Sequence, residues 1–405
     1  MPARNRSAPP ARGGGRQAIL DTIRQAGAIA RIDIANRSGV SPATVTAITS
    51  ELLAAGLIEE VASQGKASAR GRPRVALKIR GAAHRVAGIK VSQRTTTVCI
   101  LDFEGNTLGS HETPMPGPRL SPERMGDYLV ATLAQACRAN GLRAEDLSAL
   151  GLGIAGIVDA PRGLVHWSPT LSRRNVDLRA LLRQRLNMPV FIDNDANLVA
   201  KAEQLFGEGR GVSDFLVVTI EHGVGMGIVI DNRIYRGTRG CGAEFGHTKV
   251  QLDGALCRCG QRGCLEAYVA DYALLREAGV NMHTTGVDDP AAGLDALFRA
   301  AKAGDETALT IFRRAGRMFA MGLANLVNIF DPALIILSGE RMQFDFLYAD
   351  EVLEAIRDSV VQVDAALPEV RIHKWGDLMW AKGAAAYAME GISEIAVERL
   401  AGNVA

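Results

Sequence analysis

Eight residues constrain this chain more than any others: the run CRCGQRGC, Cys257–Cys264. Three thiols share one short loop, and Gly260 and Gly263 supply the turns that let them converge. A disulfide is one reading of such a cluster, but Cys-x-Cys is too close for easy pairing. A zinc knuckle for nucleic acid is another, and the flanking pattern argues against it. A structural zinc ion is the third. It needs a fourth ligand, and His247 upstream supplies one. Three cysteines and a histidine close a tetrahedron, so the ion would be structural and not catalytic. Cys99, Cys137 and Cys241 are scattered and read as inert buried thiols. Residues 1–15 are polar, with no apolar stretch of a secretory signal, and read as a disordered basic arm. The expected compartment is therefore cytoplasmic, where metal is favoured over disulfides.

Charge divides the chain. Residues 1–80 hold 13 Lys/Arg against 5 Asp/Glu, and the remainder is net acidic. A basic first fifth points to a polyanion partner, a solvated basic tail being the plainer alternative. No apolar run is long enough to span a membrane, so no membrane partner is expected. Helical periodicity marks Gln17–Ala26, with Ile19, Leu20 and Ile23 on one face, and Arg31–Ser38, closed by Gly39. Ser41-Pro42 then reads as N-cap and first residue of a third helix. Its buried stripe is Val45, Ile48 and Leu52, and Gly56 ends it. The second and third helices have helix-turn-helix proportions. Strands are expected at Leu57–Val61 and Val75–Ile79, with Arg70-Gly71-Arg72-Pro73 in the loop between. That is a winged helix with a basic wing, whose Arg-Gly-Arg core suits a narrow minor groove. The expected DNA contacts are Ser41, Pro42, Thr44 and Thr46 on the recognition helix and Arg70, Gly71 and Arg72 on the wing. The small helix residues include no bidentate base reader, so direct readout should be modest.

The body, from about residue 83, alternates strands and helices. Strands are expected at Val86–Val91, Thr95–Asp102, Thr107–Thr113, Leu147–Ile154 and Val190–Ile192, with helices at Ser121–Asn140 and Leu178–Leu186. A second set comprises Phe215–Ile220, Gly225–Ile230, Leu334–Leu337 and Val370–Ile372. Two α/β lobes with a small-ligand cleft follow from that pattern. Domain boundaries are expected at 16–82 for the head, 83–194 with 377–405 for the first lobe, and 195–376 for the second. Glycines at 151, 153 and 156, and again at 223, 225 and 227, are denser than packing requires, as though backbone approached a ligand.

These residues resemble the ROK family of repressors and sugar kinases. Gly223-Val-Gly225-Met-Gly227, Gly237 and Ala243-Glu244-Phe245-Gly246-His247 are similar to its signature. The Cys257–Glu266 run is similar to its zinc loop, and Asn194-Asp195-Ala196-Asn197 to its sugar and catalytic motif. The resemblance covers nearly the whole chain, including the winged helix that the kinases lack. It implies an α/β, actin-like (ribonuclease H-like) two-lobed sugar-kinase fold behind the N-terminal winged helix-turn-helix domain. It also implies that Asn194, Asp195, Glu244, His247 and Glu266 hold sugar hydroxyls. Carboxylates and an amide suit vicinal diols.

The same resemblance argues against a kinase. Where the kinases have Asp-x-Gly-Gly-Thr, this chain has Lys90-Val91-Ser92-Gln93-Arg94; the second phosphate turn reads Glu221-His222, and a third Gly-rich turn reads Ser338-Gly339-Glu340. No ATP is expected, and Asp195 becomes a sugar clamp instead of a base. The expectation is a repressor, homodimeric or homotetrameric, whose grip on double-stranded operator DNA answers to a sugar or sugar phosphate. A sugar kinase with a regulatory head is the alternative.

Overall fold

The computed structural model describes residues 14–62, 75–220, 222–279, 290–339, 350–361, 366–374 and 378–402. The chain divides into two compact units: Met1–Gly156 with Arg162–Asp193 and Ala381–Ala405, and Ile157–Pro161 with Asn194–Trp380.

The first unit begins with helices Gly14–Ala26, Arg31–Ser38 and Pro42–Ala54. Gly39 caps the second in the left-handed region at φ 67°, and Ser41 accepts the Thr44 N–H to start the third. Ile19, Leu20, Ile23, Ile34, Val45 and Leu52 are fully buried between them. Strand Val75–Ile79 is central in a small sheet, with Ile58–Ala62 on one side and Ala28–Ala30 on the other. The third of these, three residues long, carries too short a pattern to be read from sequence. Arg24 fastens this head to the lobe behind it. Its guanidinium donates to the Phe103 carbonyl and to Ser393 Oγ, and stacks over the Phe103 ring. Desolvation lowers Arg24 to about 10, against the pull of Asp21, Asp102 and Glu390.

Behind the head lies a five-stranded sheet in the order Val190–Asn194, Ala149–Ile154, Arg85–Val91, Thr95–Asp102, Thr107–Pro114. The second unit repeats the scheme: Arg233–Ile234, Val224–Ile230, Phe215–Ile220, Leu334–Ser338, Glu369–His373. In each, an antiparallel meander of three strands is followed by a strand that lies parallel beside its first. The expected strand from Leu147 starts two residues later, because Ala144–Asp146 is taken into a short 3-10 turn. The expected helix Leu178–Leu186 stops at Arg183.

The glycine reading needs correction. A Cβ on Gly151 would strike the Ala384 carbonyl of helix Met379–Gly402. Cβ atoms on Gly225 and Gly227 would strike Ala196 and Ala200 of helix Asp195–Phe206. These glycines let helices lie close on their sheets, so packing accounts for them. Among the described residues no helix is long and apolar enough to cross a membrane.

Candidate functional site

The thiols converge. Cys257 Sγ is 3.7 Å from His247 Nδ1, and Cys259 Sγ is 3.7 Å from Cys264 Sγ. All four donor atoms lie within 4.8 Å of one another. Zinc–sulfur bonds of about 2.3 Å make tetrahedral edges of about 3.8 Å, so the set fits a zinc-sized ion. Local backbone builds it: Cys257 N–H donates to Gln261 O, and Gly260 N–H to Cys257 O. Gly263 sits at φ 75°, where a side chain would also meet the Gln251 carbonyl. Cys257 and Cys264 are buried while Cys259 is exposed. Burial pushes the Cys257 thiol up to about 12, so that position holds a thiolate only with a cation at hand. Lys249 Nζ stands 2.9 Å from Cys264 Sγ, where it would offset the single negative charge left by three thiolates around a divalent ion.

A carboxylate cluster adjoins the metal set in the same unit. Strand Val190–Asn194 runs into helix Asp195–Phe206, and Asn194 caps that helix by accepting the Ala196 N–H. The Asp195 carboxylate accepts the same N–H at 3.0 Å. Glu266 opens helix Glu266–Val269, accepts the Val224 N–H at 3.3 Å and accepts from Tyr272 Oη at 3.4 Å. Glu244 is exposed, yet the protein packed around its carboxyl desolvates that group and raises it. His247 opposes that shift, and Asp195 and Glu266 add to it. Asp195, Glu244, His247 and Glu266 therefore act on one another electrostatically. Tyr272, absent from the sequence reading, bridges the two clusters, since its hydroxyl also lies 3.5 Å from Cys257 Sγ. No spacing rule reveals it; only the fold brings Tyr272 beside Glu266.

Comparison with known proteins places the chain that carries these clusters. The ROK family pattern matches residues 86–390, and the MarR family pattern matches residues 16–65. The chain belongs to the ROK family. It is 29% identical over 346 residues to the xylose repressor of Caldicellulosiruptor bescii, covering 84% of this chain and 86% of the relative. It is 29% identical over 354 residues to the DNA-binding transcriptional dual regulator NagC of Escherichia coli, covering 86% and 84%. Its fold matches a crystal structure described as a ROK family transcriptional regulator, a homologue of the E. coli MLC protein. The TM-score is 0.79 at 24% identity, covering 96% and 99% of the two chains. A ROK glucokinase from Streptomyces griseus with glucose and AMPPNP gives 0.63 at 31% identity, covering 75% and 99%.

Against the ROK kinases, the first hairpin turn here is closed by a side chain. Ser92 Oγ donates to the Thr95 carbonyl at 2.8 Å and accepts the Thr95 N–H at 3.1 Å. Ser338 is buried against Met379. Glu221 and Glu340 lie outside the described residues. In the winged head, Ser41, Pro42, Thr44 and Thr46 are all exposed on the first turns of the third helix. The Ser41 and Thr44 hydroxyls bond each other at 2.8 Å, and Thr46 Oγ1 donates to the Pro42 carbonyl. Arg70, Gly71 and Arg72 lie outside the described residues. In the loop before Asn175, Ser168 and Thr170 are buried and bonded to each other, and Arg173 pairs with Glu123.

Proposed function

We infer that this chain is a DNA-binding transcriptional repressor of sugar uptake or catabolism genes, not an enzyme. The observation that carries this reading is the joining of a winged head to a ROK body, in a chain that is 29% identical to the xylose repressor and to NagC over most of its length. Asn194, Asp195, Glu244, His247 and Glu266 hold a sugar or sugar phosphate. His247, Cys257, Cys259 and Cys264 hold one structural zinc ion, which orders the loop and leaves His247 Nε2 for the sugar. A homodimer or homotetramer presents paired heads to a pseudo-palindromic operator. The sugar changes operator affinity through a coupling of about 1–3 kcal/mol.

Two experiments test this. In a binding titration, the full-length protein should select a DNA sequence with affinity that falls steeply with salt. Arg72→Ala should weaken that binding by roughly 1–3 kcal/mol, most at A·T-rich sites. Equal affinity of variant and parent across salt concentrations would remove the wing from the interface. In a coupled ATPase assay over a sugar panel, no sugar-dependent turnover is expected. Lys90 and Gln93 stand where the kinases cradle phosphate, and the side chain of Ser92 closes that turn. Turnover that disappears in Asp195→Asn would establish the kinase alternative.

A further inference from the structure

His222 stands in the turn ahead of strand Val224–Ile230, and its Nδ1 is 2.8 Å from Asp271 Oδ2. The Asp271 side chain is only 6% exposed, whereas that of His222 is 55% exposed. A buried carboxylate is costly, and this one holds a ring that faces solvent. Hydrogen bonding at Nδ1 sets the tautomer and the ring orientation and leaves Nε2 outward. Among the described residues Nε2 has no protein partner. Chain neighbours of both ends of this pair touch Glu266. Two residues after His222, the Val224 N–H donates to Glu266 Oε2, and Tyr272, next to Asp271, donates to Glu266 Oε1.

We propose that His222 is a further effector-contacting residue, aimed by Asp271, and that its Nε2 accepts a hydrogen bond from an uncharged sugar hydroxyl. The proposal rests on the sugar reading of the Asp195–Glu244–Glu266 cluster. Asp195 and Glu266 both act electrostatically on Glu244, so a phosphate brought beside the three meets like charge, whereas a hydroxyl does not. Asp271 is a positioning residue: it reaches the sugar only through the ring it holds.

Calorimetric titration of the full-length protein with D-glucose, D-xylose, N-acetyl-D-glucosamine, glucose 6-phosphate and N-acetylglucosamine 6-phosphate tests it. A neutral sugar should bind, and His222→Ala should weaken it roughly 3- to 10-fold, the worth of one hydrogen bond. One monodeoxy analogue of that sugar should bind wild type and His222→Ala alike, which a merely structural role would not produce. Asp271→Asn should weaken the same sugar less, with zinc content and sugar-free DNA affinity unchanged. If His222→Ala binds every neutral sugar as wild type does, or if only the phosphates bind and lose affinity in that variant, the assignment is overturned. If wild type binds none of the five, the sugar reading itself fails and takes this assignment with it.

Discussion

Cys259→Ser is expected to release the zinc and to lower the melting temperature by on the order of 10 °C, since structural zinc supplies folding free energy. The position is chosen because Cys259 is exposed while Cys257 and Cys264 are buried. Serine at 259 removes a ligand without opening a cavity, so the loss reports the metal and not the packing. The damage should spread beyond the loop, because Tyr272 connects Cys257 to Glu266. Sugar affinity should fall together with metal content. Native mass spectrometry and calorimetry check both. An untreated protein that carries no metal, or a variant that melts with the parent, would end the structural-zinc reading.

Glu244→Gln is expected to abolish most sugar binding while leaving the apo protein at least as stable as its parent at neutral pH. The sign follows from the raised carboxyl, caused first by desolvation and then by Asp195 and Glu266. A carboxyl raised on folding binds protons more tightly in the folded chain. It therefore subtracts stability as pH climbs from the ordinary carboxylate range through the raised value, and the full cost is present above that. Glutamine removes this cost, so the stability gap between variant and parent should close in acid. Sugar affinity moves the other way. A hydrogen bond to a charged acceptor is worth about 1.5–3 kcal/mol, or roughly 10- to 150-fold in affinity. Paired melting curves at neutral and acid pH, with sugar titrations, separate the effects. Unchanged sugar binding would take Glu244 out of the site.

Much of the architecture is local enough to read from the residues. Ser41-Pro42 starts the recognition helix and Gly39 stops the one before it, because caps act over a few residues. The runs Val75–Ile79 and Thr95–Asp102 fall on strands with those bounds, since β-branched and apolar runs between turns are local in sequence. The short strand Ala28–Ala30 has no such pattern and exists because Val75–Ile79 offers it an edge. Gly151, Gly225 and Gly227 were open to misreading for the same reason. A ligand and a packed helix both demand an absent side chain, and only the partner atoms tell them apart.

By itself, the sequence determined the winged head, the alternation of strands and helices, and the chemistry of the Cys–His loop. These rest on caps, periodicity and ligand spacing, all short-range in the chain. Only the tertiary structure decided which distant groups share a field. It brings Asp195 and Glu266 close enough to Glu244 to help raise its carboxyl, seats Tyr272 between thiol and carboxylate, and buries Asp271 behind His222. Those pairings join residues up to about seventy positions apart, where no periodicity carries information and packing alone sets the distance.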